Sequence, residues 1–184
     1  VEHLSRDANS WVADAANRAS AGVAFKPAPV DAMSSPALEA ADLRRLMTAR
    51  ARITIRGVGT LELALLTFEA PATVVWFART AESGRFNHLP LGRVLPTVVA
   101  LTPASDAGSP VNDDESGAWP HVRGTIGFLA GSSGAPGSIF IDLVDNPRFD
   151  RVHPVFAQIL NGTELLDQLV EGDMIETVEI VAGT

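Results

Sequence analysis

A chain of 184 residues, 46% apolar and 20% charged, has material for one packed domain and an extension. Its formal charge of −8 and its single lysine, Lys26, speak against a nucleic-acid partner, because phosphate binding needs clustered Lys and Arg. Cysteine is absent, which excludes disulfides, thiol catalysis and Cys-ligated metals.

No apolar run reaches the roughly 18–20 residues that span a bilayer, so no transmembrane segment is expected. Val1 in place of Met, with no basic-then-apolar leader, fits a processed chain or a fragment. The preference for Arg over Lys reads as the codon bias of a GC-rich bacterial genome. Lack of cysteine suits an exported or a cytoplasmic bacterial protein, and a periplasmic or otherwise exported location is the expectation taken.

Residues 1–22 are polar and Ala-rich, with Leu4, Trp11, Val12 and Ala15 or Ala16 near helical spacing and Gly22 as a stop. Pro27 and Pro29 make residues 25–35 an extended linker. A second helix is predicted from Ser35 as N-cap and Pro36 in the first turn, with Leu38, Leu43, Leu46 and Met47 on one face. Residues 1–50 therefore read as a helical arm and linker, lying on the following domain or gripping a partner, and residues 51–184 as the main domain.

From Ala51 the period changes. Ile53 and Ile55 alternate with polar neighbours, Gly57-Val58-Gly59 turns the chain, and Leu61, Leu63 and Leu65 alternate again, which is a hairpin. Ala70-Pro71 opens a helix with Val74, Val75, Phe77 and Ala78 buried, and Ser83-Gly84 ends it. Residues 91–102 are apolar and β-branched but interrupted by Pro96, so a broken or bulged strand is predicted. Residues 103–120 form a long acidic loop. Strands follow at 124–130, 139–144 and 155–160, then a short helix capped by Thr163 with Leu165, Leu166, Leu169 and Val170, stopped by Gly172. Residues 177–181 make a closing strand. Many short strands, two helices and no strand–helix alternation favour an antiparallel barrel or sandwich.

Several stretches carry a pattern beyond periodicity. Gly137 to Phe156 reads G-S-I-F-I-D-L-V-D-N-P-R-F-D-R-V-H-P-V-F. It resembles G-S-Q-F-F-I followed by L-D-G-x-H-x-V-F-G, the fingerprint of the cyclophilin-type peptidyl-prolyl isomerases. Ala70-Pro71-Ala72-Thr73-Val74-Val75-Trp76-Phe77 is similar to that family's A-P-x-T-V-x-N-F. Leu91-Gly92-Arg93-Val94-Leu95-Pro96 sits at its F-H-R-V-x-P, and Arg123 to Phe128 at its x-G-x-x-x-M-A. Gly172 to Ile180 resembles the G-D-x-I-x-x-V-x-I ending of bacterial members with an N-terminal helical extension. The resemblance covers most of the chain beyond residue 50. It implies a mainly β fold: a closed eight-stranded antiparallel cyclophilin-like barrel capped by two helices, here with an N-terminal helical extension.

The resemblance also implies a chemistry without nucleophile, metal or cofactor, and none is expected. In the family an Arg donates to the prolyl nitrogen as its amide conjugation is lost, an apolar pocket holds the proline ring, and polar side chains hold the flanking backbone. The barrier to be crossed is about 20 kcal/mol. Arg93 falls on the catalytic Arg and His153 on the pocket-edge His, while Phe149 replaces a pocket Leu. Val98 stands where an aromatic floors the pocket and Ile141 where the second Phe of F-F-I sits. Leu101 and Ile139 stand where the family has two glutamines, and Gly92 replaces the His of F-H-R. These residues make up the candidate substrate-binding set.

The plainer reading of Arg93 is a strand residue pointing to solvent or to Asp142 or Glu115, and of His153 a barrel-end histidine bonded to backbone. His3, His88, His121 and His153 show no His-x-His or i, i+4 pairing, so no metal site is expected. Residues 131–138 match neither G-x-S-x-G nor a phosphate loop, and Asp113-Asp114-Glu115 reads as solvated acid. Asn161-Gly162-Thr163 matches a glycosylation pattern, although a turn and cap explain it. Three functions stay open: a cyclophilin-like module whose isomerase site is degraded, binding a protein or proline-containing peptide as an accessory subunit; an active but weak isomerase assisting folding; or an unrelated all-β binding domain.

Overall fold

The computed structural model describes residues 38–101, 115, 117–129 and 138–183. Contacts along the chain separate residues 1–34 from 35–184, and the second unit is the one described below. The predicted helix at 1–22, the linker at 25–35, the Ser35–Pro36 cap, most of loop 103–120 and nearly all of loop 131–138 lie outside the described residues.

The elements run α1 (Ala40–Leu46), β1 (Arg50–Ile55), β2 (Gly59–Leu65), α2 (Pro71–Glu82), β3 (Leu89–Pro90), β4 (Val98–Leu101), β5 (Thr125–Phe128), β6 (Ile139–Asp142), β7 (Val155–Asn161) and β8 (Met174–Val181). The eight strands form one sheet in the order β3-β8-β1-β2-β7-β5-β6-β4, with every pair antiparallel. Its two edges are brought together by a single stretch of chain. At one end of that stretch the Leu91 N–H donates to the Asp173 carbonyl at 2.6 Å, alongside the β3–β8 pairing. At the other end, Gly92 N–H donates to Ala100 O at 2.9 Å and Ala100 N–H donates to Arg93 O at 3.0 Å. The sheet thus curls into a nearly closed barrel.

The broken strand predicted for 91–102 is a tight hairpin. Leu95 N–H donates to the Val98 carbonyl at 2.8 Å, which leaves Pro96 and Thr97 as the two turn residues. Proline is suited to that place because its fixed φ matches the first central position of a turn and it has no N–H to lose from a ladder.

Alternation fills the barrel. Ala51, Ile53 and Ile55 of β1 and Leu61, Leu63 and Leu65 of β2 are buried, and intervening residues are half-buried or exposed. Gly57, with φ of 77°, makes the turn between them. Helix α2 plugs the barrel, with nine of its twelve residues buried. Phe77 packs on Phe156 at 5.1 Å and on Phe86 at 5.5 Å between ring centroids. Each such side chain contributes about 1.5–3 kcal/mol by leaving water.

Two predicted helices need correction. Helix α1 starts at Ala40 after an extended Glu39 that makes no side-chain cap. Only Leu46 is buried and Leu43 packs at the core edge, while Leu38 and Met47 lie outside the seven-residue helix and stay exposed. The Leu46 carbonyl accepts from buried Thr67 Oγ1 at 3.1 Å, and Arg45 and Arg79 bridge α1 and α2 through Glu82 and Asp42. Helix α1 is therefore part of the barrel's own surface. The helix expected after Thr163 is a 3-10 helix, Thr163–Gln168, entered from Gly162 at φ 93°, and the Thr163 side chain makes no cap bond. Six residues with only Leu166 buried among them give too little packing to carry a full α-helix.

Glu115, read from the sequence as solvated acid, closes the start of α2. Its carboxylate accepts from Ala72 N at 2.6 Å and from Thr73 N and Oγ1 at 2.9 and 2.7 Å. No side chain of residue 70 caps that end, so Glu115 satisfies donors the helix leaves open, at the end where its dipole favours an anion. Glu115→Ala is expected to lower stability by about 1–2 kcal/mol, read as a shift in urea midpoint at unchanged slope. An unmoved midpoint would mean the cap contributes nothing.

Candidate functional site

Strand β6 divides its residues between two environments. Ile139 and Ile141 lie opposite Leu101 and Val99 of β4 and opposite Phe128 and Ile126 of β5. All six belong to the buried core. Phe140 and Asp142 point to the other face, paired with Ala100 and Val98 of β4, and Phe140 also with Gly127 of β5.

This overturns part of the expected substrate-binding set. Leu101, Ile139 and Ile141 are 0–1% exposed and fill the barrel, so none of them lines a surface groove. The physical reason is the period of two along a strand: a slip of one residue in register exchanges every inward for every outward side chain. Phe140, skipped in the sequence reading, is the aromatic on the side away from that core, and at 2% exposed it lies beneath the neighbouring rings. Val98 does lie on that outer face, half-buried at the head of β4.

Around Phe140 the structure assembles three rings. His121 stacks on it at 5.5 Å with 15° between planes, and Phe149 and His153 meet it edge-on at 5.4 and 5.7 Å. Phe149 also contacts His121 at 5.7 Å and His153 at 5.5 Å. Phe149 ends a short 3-10 helix, Pro147–Phe149, and its carbonyl accepts from His153 N at 3.1 Å, which folds the two rings onto one side. The expected residues Phe149 and His153 are thus brought together.

Behind the rings lies a buried polar network. Asp142 accepts from Asn146 Nδ2 at 2.6 Å and from Thr125 Oγ1 at 2.8 Å, and it lies 2.8 Å from His121 Nδ1. His121 Nε2 is 3.0 Å from the His153 carbonyl. Burial alone pulls the His121 pKa down, but the Asp142 hydrogen bond, the His153 carbonyl and the charges of Asp142 and Asp150 outweigh it and hold it above the usual histidine value. Burial pushes the His153 pKa down, and neighbouring His121 adds to that, with Asp142 opposing.

Arg93 lies on the strand that closes the barrel, on the side opposite core-packed Val94 and so on the outer face with Ala100. It is exposed, and among the described residues no group is hydrogen-bonded or ion-paired to its guanidinium. The sequence alternative that pointed it to Asp142 or Glu115 does not hold, since both carboxylates are engaged elsewhere. Arg148, by contrast, is held: its Cζ sits 4.7 Å over the Phe149 ring and its Nη2 donates to Thr97 Oγ1 at 3.0 Å. Among the described residues no three His, Asp or Glu side chains converge to hold a metal.

The fold agrees with what known proteins show. Residues 50–182 match the family described as cyclophilin type peptidyl-prolyl cis-trans isomerase/CLD. A peptidyl-prolyl cis-trans isomerase of Helicobacter pylori is 30% identical over 135 residues, covering 65% of this chain and 80% of its own. One of Synechococcus elongatus is 29% identical over 136 residues, covering 67% and 90%. A Cryptosporidium parvum cyclophilin crystallised in the presence of the dipeptide Ala-Pro superposes with a TM-score of 0.59 at 17% identity, covering 73% of this chain and 99% of that one. The chain belongs to the cyclophilin-type peptidyl-prolyl isomerase family.

Gly127 shows how closely the outer face is packed. A Cβ there would collide with Phe140 Cζ and lie 2.9 Å from His121 Cε1. Gly127→Ala is expected to cost about 1–3 kcal/mol and to shift the ring resonances of Phe140 and His121. Thermal unfolding and NMR spectra unchanged from wild type would show that the rings are not packed there.

Proposed function

We propose that this domain binds proline-containing segments of other proteins on the face that Phe149 and His153 form over buried Phe140, and turns the prolyl bond only slowly. The observation that carries this reading is the contrast between Arg93 and the rings. The apolar part of a proline site is kept and tightly packed, while the guanidinium that must act on the prolyl nitrogen is exposed and has no partner among the described residues.

Energetics argue in the same direction. Tenfold acceleration takes about 1.4 kcal/mol of differential stabilisation. A hydrogen bond to a charged group contributes roughly 1.5–3 kcal/mol, and donors help catalysis only when already aimed at the developing charge. Gly92, Ala100 and Val98, which surround Arg93 on its hairpin, carry no side-chain group that could aim it. The barrel then serves as a binding module, the role expected of an accessory subunit.

A working isomerase is the second reading, and the survival of an aromatic, Phe140, beneath Phe149 and His153 favours it. A protease-coupled assay on Ala-Pro peptides, with Arg93→Ala and Phe140→Ala beside wild type, separates the two. Turnover near background, changed less than about threefold by Arg93→Ala, is expected together with peptide-induced amide shifts that Phe140→Ala removes. Turnover far above background that Arg93→Ala abolishes would make the protein an efficient isomerase.

A further inference from the structure

The His121–Asp142 pair has no part in the peptide chemistry above, yet it is fully buried and touches the site on two sides. Its hydrogen bonds specify its charge. The His153 carbonyl can only accept, so His121 Nε2 carries a hydrogen. Asp142 already accepts from Asn146 and Thr125, and as a carboxylate it accepts from Nδ1 also. With Asp142 as a carboxylate, all these contacts are satisfied together only when both ring nitrogens are protonated, as an imidazolium facing it.

We propose that His121 is a positioning residue for the peptide-binding face, tying β6 through Asp142 to the Phe149–His153 turn through the His153 carbonyl, and that release of its proton loosens that turn. The proposal rests on the reading of the Phe140–Phe149–His153 face as the peptide site. A neutral His121 has one N–H. It then leaves either the His153 carbonyl without its donor or Asp142 as a buried charge without its cation. Phe149 and His153 sit on the released segment, whereas Phe140 stays fixed in β6.

Among the described residues the charged and titratable groups facing His121 are Asp142 from β6 and Asp150 and His153 from the turn. Asp150 Oδ1 accepts the His121 backbone N–H at 2.8 Å, a tie that does not depend on the ring's proton. The sign follows from the directions of the shifts. His121 is raised, so its contribution is complete below the ordinary histidine value and is lost as pH climbs through the folded value. His153 is lowered, so folding favours its neutral form and its penalty falls on the acid side of that same ordinary value. The two limbs of a pH profile are therefore separable.

Asp142→Asn is the informative variant. The introduced amide can donate to His121 Nδ1 and to Thr125 Oγ1, whose one hydrogen then turns from residue 142 to the Val122 carbonyl 2.8 Å away, while the amide oxygen accepts from Asn146. A neutral His121 then satisfies the whole network. The experiment follows the ring resonances of Phe149 and His153 in the ligand-free protein, and the affinity for an Ala-Pro peptide, from mildly acidic to alkaline pH. In wild type the Phe149 and His153 resonances are expected to move with the His121 titration and affinity to fall several-fold over the same interval. In Asp142→Asn both profiles are expected to be flat over that interval, with only the acid-side His153 limb remaining, whatever the affinity. If peptide binds but the rings ignore the His121 titration, or the variant shows the same profile as wild type, the positioning role is overturned and the binding face stands. If no peptide binds wild type at any pH, the binding face itself is overturned.

Discussion

Everything functional in this barrel depends on the two-sidedness of one four-residue strand. Ile139 and Ile141 of β6 meet four apolar side chains from β4 and β5 inside the barrel, and a slip of one residue would turn them out. That burial dictates where Phe140 and Asp142 go. One becomes the floor of an aromatic cluster, and the other becomes a buried carboxylate that must find donors. His121, Thr125 and Asn146 supply them, and His121 in turn reaches the turn that carries Phe149 and His153. Core packing and site geometry are thus set by the same alternation.

Closure of the barrel sets the remaining feature. The chain from Leu89 to Leu95 leaves β8, crosses the seam and pairs with β4 in a two-residue hairpin. Arg93 lies on this crossing. Its backbone is fixed by the ladder, but its side chain projects past Gly92 and Ala100, which offer it nothing. Arg148, in contrast, is fixed by the Phe149 ring and by Thr97. The outer face therefore presents one held cation and one that no described residue holds, beside an apolar cluster.

Much of the fold was legible in the sequence because its signals are local. The alternation of Ile53, Ile55, Leu61, Leu63 and Leu65 around Gly57 gave the first hairpin, and Ala70-Pro71 with Ser83-Gly84 bounded α2. The motifs carrying Phe149 and His153 named two residues whose rings the structure brings together. What failed was register. Laying G-S-Q-F-F-I onto Gly137 without a gap put Ile139 and Ile141 outward, and only their partners across two strands reverse that. A strict inside–outside count of I-F-I-D would have raised the question, since Asp142 and Phe140 must share a face. The His121–Asp142 pair and the Glu115 cap join residues 21 and about 43 positions apart, with no spacing rule to announce them. Pro96 marked a break, but whether as bulge or turn is decided by the Leu95–Val98 bond.

At the centre of this account stands a guanidinium that no group among the described residues aims. Nitrogen relaxation at the Arg93 Nε–H, measured in the free domain and with a saturating proline peptide, addresses that directly. The account predicts a low order parameter, below about 0.6, in both states, well under the roughly 0.85 of the rigid strand that carries it. An Arg93 side chain as ordered as its backbone before any peptide arrives would contradict it.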